Sequence, residues 1–343
     1  MRLDLATRTL FAEFQETVFS RTALEKEIKD TGTFVRKRVK GGVYWYIQQY
    51  IDGVPTQKYF GPSNKSNDLQ VEKGRQERQR EKTLLRNLSV RESRQAAMLR
   101  RGGLPSQDPR IASVLSILSE NRLIDKGGIL IGTFAFMAYA GMLGEIFESG
   151  SLKTNDIDIV RNIQIATPAT VNIDALLKRT PFDFHAVPGI RRGSLSSSFI
   201  SHEGIRIDFL APLKGRPEKV VPISGLKGAG AQPLPFLDFL IESGVRGVIL
   251  YPKGGIAVSI PHPARFAIHK LGAASRRPST ESAKRAKDLN QASQLIRILA
   301  EEEPSELKSA WKAAMKYSKK WKGYIEASKK LLPAKTQEIL NSL

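Results

Sequence analysis

The chain has 343 residues, 41% of them hydrophobic, and carries 54 Lys and Arg against 34 Asp and Glu, for a net charge of +20. Its length and apolar content suit a sizeable core in more than one domain and exclude wholesale disorder. The excess of positive charge favours a polyanionic partner, nucleic acid before an anionic membrane surface, and the absence of cysteine excludes disulfides, thiolate zinc sites and cysteine nucleophiles.

At the N-terminus Glu13 and Glu16 interrupt the apolar residues, and no continuous apolar region follows Arg2. The stretch "GGILIGTFAFMAYAGMLG" is short and rich in glycine for a membrane span, so a cytoplasmic protein is expected. Leu10, Phe11, Phe14 and Val18 fall near helical spacing and predict a helix over 4–30. "FVRKRVKGGVYWYIQQYIDGVPTQKYFGP" then holds two β-rich runs, 43–51 and 56–60, joined around Asp52-Gly53, a hairpin signal. Alternation sets Tyr44, Tyr46, Gln48 and Tyr50 on one face and Val43, Trp45, Ile47, Gln49 and Ile51 on the other, with Arg36, Lys37, Arg38 and Lys40 leading in. Such a hairpin either stacks on bases and follows a phosphate backbone, or uses its aromatics as the core of a small β-module.

Residues 68–101 predict a long helix with ten Lys or Arg between Lys73 and Arg101 against three Glu. Leu84, Leu85, Leu88, Met98 and Leu99 give it a thin apolar stripe, so it is expected to pack by one edge and present a basic face. "RRGGLPSQDP" breaks the helix and marks a boundary. A helix over 110–121, a strand at "GGILI" and a buried helix at "GTFAFMAYAGMLG" follow, then strands at "NDIDIV", "FDFHAV", "SFISHEGIRIDFLAP" and "GGIAVSI". From Pro263 the pattern is helical to the end. The expectation is an α+β fold: an N-terminal helix and hairpin module at 1–62, a basic connector at 63–104, a mixed-sheet core at 105–262 and a helical region at 263–343.

The chemistry concentrates in "KTNDIDIV", where Asp156 and Asp158 share one strand face while Ile157 and Ile159 take the other. Two like charges side by side suit an exposed strand end, or a divalent cation between them. Two further features favour the cation. Gly132 and Thr133 lie at a strand-to-helix turn, where free N–H groups and the helix dipole favour a phosphate. In "GIRIDFLAP", Asp208 shares a face with Arg206, opposite Ile205, Ile207 and Phe209. Three carboxylates facing a phosphate-binding turn are what phosphoryl transfer with two Mg2+ ions requires.

This ordered set resembles the DNA polymerase β-type nucleotidyltransferase superfamily: an apolar-Gly-Thr helix start, an apolar-flanked Asp-x-Asp, then a later Asp on an antiparallel strand. Within it the chain is similar to uncharacterised bacterial nucleotidyltransferase-fold proteins that carry a "YWY…YFGP"-like module. Its "HKLGAASRR…KRAKDLNQA" resembles elements of abortive-infection nucleotidyltransferase toxins. The resemblance implies a palm-like mixed sheet, catalytic and metal-ligating Asp156, Asp158 and Asp208, and two Mg2+ ions with an NTP as substrate. It also makes Lys270 a triphosphate contact, with Lys284 and Asp288 further candidates for the nucleotide pocket. Two departures stand out. The turn carries Gly-Thr where Gly-Gly or Gly-Ser is commoner, and the interval from Thr133 to Asp156 is longer than usual, implying an extended helix or an inserted loop around "GEIFESGSLK".

The remaining motifs are plainer. In "GIRRGSLSSSF", Arg191 and Arg192 either bind phosphate or belong to a loop. "GLKGAGAQP" lacks the spacing of a phosphate-binding loop, and the four histidines form neither a zinc nor a triad pattern. Lys270 would by default be solvated. Lys312, Lys316, Lys319 and Lys320 form a second basic surface, with Trp311, Met315 and Tyr324 packing inward. The expectation is Mg2+-dependent transfer of a nucleoside monophosphate from an NTP to a hydroxyl of RNA, tRNA-like. The alternatives are a protein or small-molecule acceptor, or a nucleic-acid-binding protein without turnover.

Overall fold

The computed structural model describes all residues except 52–53, 122, 125–126, 149–153, 162–170, 189–194, 214 and 216–218, with Ile51 and Val54 described by backbone alone. In chain order the elements are α1 (Leu5–Thr31), β1 (Thr33–Val39), β2 (Gly42–Ile51), β3 (Val54–Pro62), α2 (Lys65–Arg101), α3 (Pro109–Glu120), β4 (Gly128–Leu130) and α4 (Gly132–Leu143). There follow β5 (Asp156–Arg161), β6 (Val171–Asn172), α5 (Ile173–Leu177), β7 (Phe184–Ala186), β8 (Ser198–Ser201), β9 (Arg206–Pro212), β10 (Val221–Pro222), β11 (Leu226–Lys227), β12 (Gly230–Leu234) and α6 (Leu237–Ile241). The chain ends with β13 (Gly244–Tyr251), β14 (Gly254–Pro261), α7 (Pro263–Arg276), α8 (Ser282–Glu302), α9 (Pro304–Tyr317), α10 (Lys319–Lys329) and α11 (Ala334–Asn341). The fold is α+β, as expected.

The central sheet is mixed, with order β10-β12-β9-β5-β4 and β7-β8 attached to β9. β5 and β9 run parallel, with Asp158 opposite Asp208, while β4 is antiparallel to β5 and β8 antiparallel to β9. The later Asp is therefore on a strand antiparallel to β8 but parallel to the strand bearing the acidic pair. Alternation dictates the two faces: Ile157, Ile159, Ile207 and Phe209 are fully buried, whereas Asp156 is exposed and Asp158 half-buried. Against the apolar face lies α4, apolar on every side as a fully enclosed helix should be, with Phe134, Phe136 and Tyr139 inaccessible. α4 stops at Gly144, which takes the left-handed conformation at φ 65°. Of the two explanations for the long interval, the extended helix is excluded; residues 145–148 are not helical, and 149–153 lie outside the described residues.

Two corrections concern the N-terminal region. The basic lead-in is itself a strand, so β1-β2-β3 form a three-stranded antiparallel sheet. Three successive basic residues, Arg36, Lys37 and Arg38, hide the alternation that marks a strand. The apolar stripe expected on α2 is also wrong in part: Leu84 and Met98 are exposed, and the buried positions are Val71, Glu92, Gln95, Ala96 and Leu99. Glu92 is buried because Arg21 and the Gly255 N–H meet its carboxylate, the latter at 2.8 Å. Its partners are far away in sequence. Phe14 and Val18 of α1 join Ala96 and Leu99 of α2 on Val248 and Leu250 of β13, a small second core. At the C-terminus Trp311 is buried, with Met315 and Tyr324 half-buried against the same core as the sheet.

Candidate active site

The turn from β4 into α4 is built around one carboxylate. The Ile131 N–H donates to the Asp158 backbone carbonyl at 2.9 Å, joining the turn to β5. Gly132 follows with φ +67°, and a Cβ there would stand 2.6 Å from Asp158 Oδ2. Both the backbone angle and this close approach demand glycine. Thr133 is buried at the start of α4, where no side chain caps the helix, so the first N–H groups of the helix remain available to an anion.

The parallel register places Asp208 directly beside Asp158, and Asp156 beside Arg206. Arg206 Nε donates to Asp208 at 3.0 Å. On the other side of Asp208, β8 sets Ser198 opposite it, and the buried Ser198 hydroxyl has no hydrogen-bond partner among the described residues. Burial, then the neighbouring Asp208 and Asp156 carboxylates, push the Asp158 carboxyl from 3.8 up to about 7, against the opposing pull of Lys270 and Arg206. A carboxyl so placed is eager for a positive partner.

Lys270 supplies part of that charge from α7, and it is not the solvated lysine that its helical position suggests by default. Its Nζ lies 2.6 Å from Asp288 Oδ1 on α8, and Arg277 Nε approaches the other Asp288 oxygen at 2.5 Å. Burial raises the Asp288 carboxyl, but Lys270 and Arg277 outweigh it and hold the group below the usual range. Lys287, adjacent to Asp288, has its amine lowered by burial and by Lys270, while Asp288 and Asp156 oppose the change. Helices α7 and α8 thus turn cationic side chains toward the acidic strands.

Gly132, Thr133, Asp156, Asp158, Asp208 and Lys270 accordingly belong to one neighbourhood. Asp288 is present as the buried anchor of Lys270. Lys284 is exposed and faces Glu281 at 3.9 Å, a carboxylate that also pairs with Arg277 at 2.8 Å. Arg191 and Arg192 lie outside the described residues. Sequence reasoning missed Lys287, Arg277 and Ser198; the clue to Lys287 was its place beside Asp288 in "KRAKDLNQA", and nothing local marked Ser198 among its neighbouring serines. Among the described residues no three acidic or histidine side chains stand close enough to cage an ion as they are. The donor set nevertheless fits a hard divalent cation: carboxylate oxygens from two adjacent strands, one of them kept from easy ionisation by its neighbours, beside an unpartnered hydroxyl. No helix among the described residues is long and apolar enough to cross a membrane.

A family model described as nucleotidyltransferase matches residues 110–316, from α3 into α9. No curated protein matches the chain. Among solved structures the chain is similar to an antigenic nucleotidyltransferase-like protein from Paracoccidioides brasiliensis, at 14% identity, covering 65% of this chain and 95% of that one with a TM-score of 0.32.

Proposed function

The chain belongs to the nucleotidyltransferase family, and on that premise we propose that it moves a nucleoside monophosphate from an NTP to a hydroxyl of RNA. The observation that carries this reading is the in-register pair Asp158 and Asp208 beside the Gly132 turn, faced by Lys270. The free N–H groups at the start of α4 receive phosphate oxygens of the NTP, favoured by the helix dipole. Lys270, held by Asp288, and Lys287 balance further charge on the triphosphate. Asp156, Asp158 and Asp208 are the residues that would hold two Mg2+ ions, whose chemistry is to increase the acidity of a hydroxyl and to neutralise charge on phosphate oxygens.

The acceptor oxygen bonds to the α-phosphorus, the bond from that phosphorus to the bridging oxygen breaks, and pyrophosphate departs with the electron pair. The hydroxyl proton passes to the Asp208 carboxylate, while Arg206 fixes that carboxylate's orientation. RNA is favoured over a small acceptor by the net charge of +20, because each phosphate neutralised by Lys or Arg releases counterions and adds affinity at low salt.

The test is incubation of the full chain with α-labelled NTPs, Mg2+ and either total RNA or a protein extract. Label on RNA that disappears with Asp158→Asn supports the reading. Label found on protein alone overturns the RNA assignment, and no label on any acceptor leaves a nucleic-acid-binding protein without turnover.

A further inference from the structure

The sheet β1-β2-β3 separates its aromatics into two groups with different surroundings. One face is closed. Trp45 is 6% exposed, its Nε1 donates to Asp68 of α2 at 2.6 Å, and the Arg75 guanidinium lies 4.9 Å from its ring centre. Phe34 meets Phe60 edge-on at 5.1 Å, and its ring lies so near Gly74 that a Cβ there would approach it to 2.8 Å. This face, packed on α2, is the core of the module.

The register gives the other face its composition. Lys37 is opposite Tyr44, Tyr46 is opposite Tyr59, Gln48 is opposite Gln57, and Tyr50 is opposite Pro55. Directly opposed residues point the same way, so four tyrosines, two glutamines and a lysine share one surface. Tyr50 is 67% and Tyr59 53% exposed. Tyr59 contacts both Tyr44 and Tyr46 with ring centres 6.1 and 5.6 Å apart, and Lys37 Nζ sits 5.6 Å from the Tyr46 ring centre. The two glutamines are joined side chain to side chain at 3.1 Å. These ring contacts and side-chain hydrogen bonds all stay within the sheet.

We propose that the open face of β1-β2-β3 binds single-stranded nucleic acid, the unpaired part of the acceptor; the identity of that strand as acceptor RNA rests on the reading above. Flat exposed rings offer π faces to unstacked bases, and the glutamine amides offer donors and acceptors to base edges. The charge suits a phosphate backbone: the register makes Lys37 the charged residue of this face, and Arg36, Arg38 and Lys58 stand on the same strands on the opposite side. A duplex hides its base faces and would leave the tyrosines unused. An apolar protein partner would call for a mainly aliphatic surface, whereas Val35 and Val39 are here outnumbered by four tyrosines and two glutamines.

The experiment measures binding of the full chain to a labelled oligouridylate and to a duplex of equal length, without NTP. The expected result is preference for the single strand, and weakening of that binding by about tenfold or more in the Tyr46→Ala, Tyr59→Ala double variant. Phenylalanine at both positions retains the π faces and holds affinity near that of the parent. Circular dichroism and the melting temperature check that the alanine variant is folded. Equal binding by the folded alanine variant, or a duplex bound as tightly as the single strand, overturns the proposal. The two readings fail separately. Tyrosine-dependent binding without label transfer leaves this surface standing and removes the acceptor assignment. Transfer to RNA that persists undiminished in the alanine variant, with unchanged binding, does the reverse.

Discussion

The molecule contains two sheets that treat polar side chains in opposite ways. In the central sheet, β5 and β9 bury Ile157, Ile159, Ile207 and Phe209 on one side and bring Asp158 against the backbone of Gly132 on the other. In β1-β2-β3, one face is closed by α2, and the other exposes tyrosines and a lysine to solvent. A charge held in a crowded site costs free energy and so points to chemistry. An exposed aromatic costs little to the fold, and its meaning lies in what it meets from outside.

Substitutions should separate the two sheets by the size and kind of their effects. The largest is Asp158→Asn, expected to lower transfer by at least about 100-fold. The same change should stabilise the protein in chelator. The folded-state value of Asp158, about 7, lies above its ordinary 3.8, so the folded state binds the proton more tightly than the unfolded chain. Stability from this group is therefore highest below about pH 4 and declines as pH rises through about 7. At pH 8 the asparagine variant should gain roughly 1–3 kcal/mol, read by urea unfolding. A loss of activity accompanied by a loss of stability would contradict the crowding argument.

Next comes Asp288→Asn, which leaves Lys270 and Arg277 without their shared carboxylate and should cost about 3–5 kcal/mol, together with a higher KM for NTP. The native Asp288 is held below its ordinary range, so its contribution is present above the unfolded value and disappears as pH falls through the lowered one; acid unfolding of the parent and the variant should converge there. Gly132→Ala should follow at about 1–3 kcal/mol, from the positive φ and the collision with Asp158, with reduced transfer measured in the same preparation. Smallest, on the open sheet, Tyr50→Ala should shift stability by no more than about 0.5 kcal/mol. A large destabilisation there would mean that the tyrosine face is part of a core after all.

The legible part of the site is the part written in short-range alternation. Asp156, Asp158 and Asp208 each stand out because a carboxylate interrupts an apolar strand, and Gly132-Thr133 because a strand gives way to a helix. Long-range pairing was not legible. That β5 and β9 run parallel is decided by the connections between them, including β7 and β8, and no residue in either strand declares it. Lys270 is read as solvated until α8 brings Asp288 to it from 18 positions away. Nothing beside Glu92 in the sequence marks it as buried, because Arg21 and the Gly255 N–H reach it from 71 and 163 positions away. The small sheet was half legible: alternation sorted its tyrosines from Trp45, but only the packing of α2 showed which set faces water.

The pairing of Asp158 with Asp208 has a consequence for how faithfully the chain assembles. Because a strand reverses its faces at every residue, a slip of one position between β5 and β9 would drive Asp208 into hydrocarbon and lift Ile207 and Phe209 out of it. Such a misaligned chain would lose much of its core before it ever met a nucleotide. The hydrophobic side of the sheet thereby proofreads the acidic side, and a molecule that has reached its native fold has Asp158 set opposite Asp208.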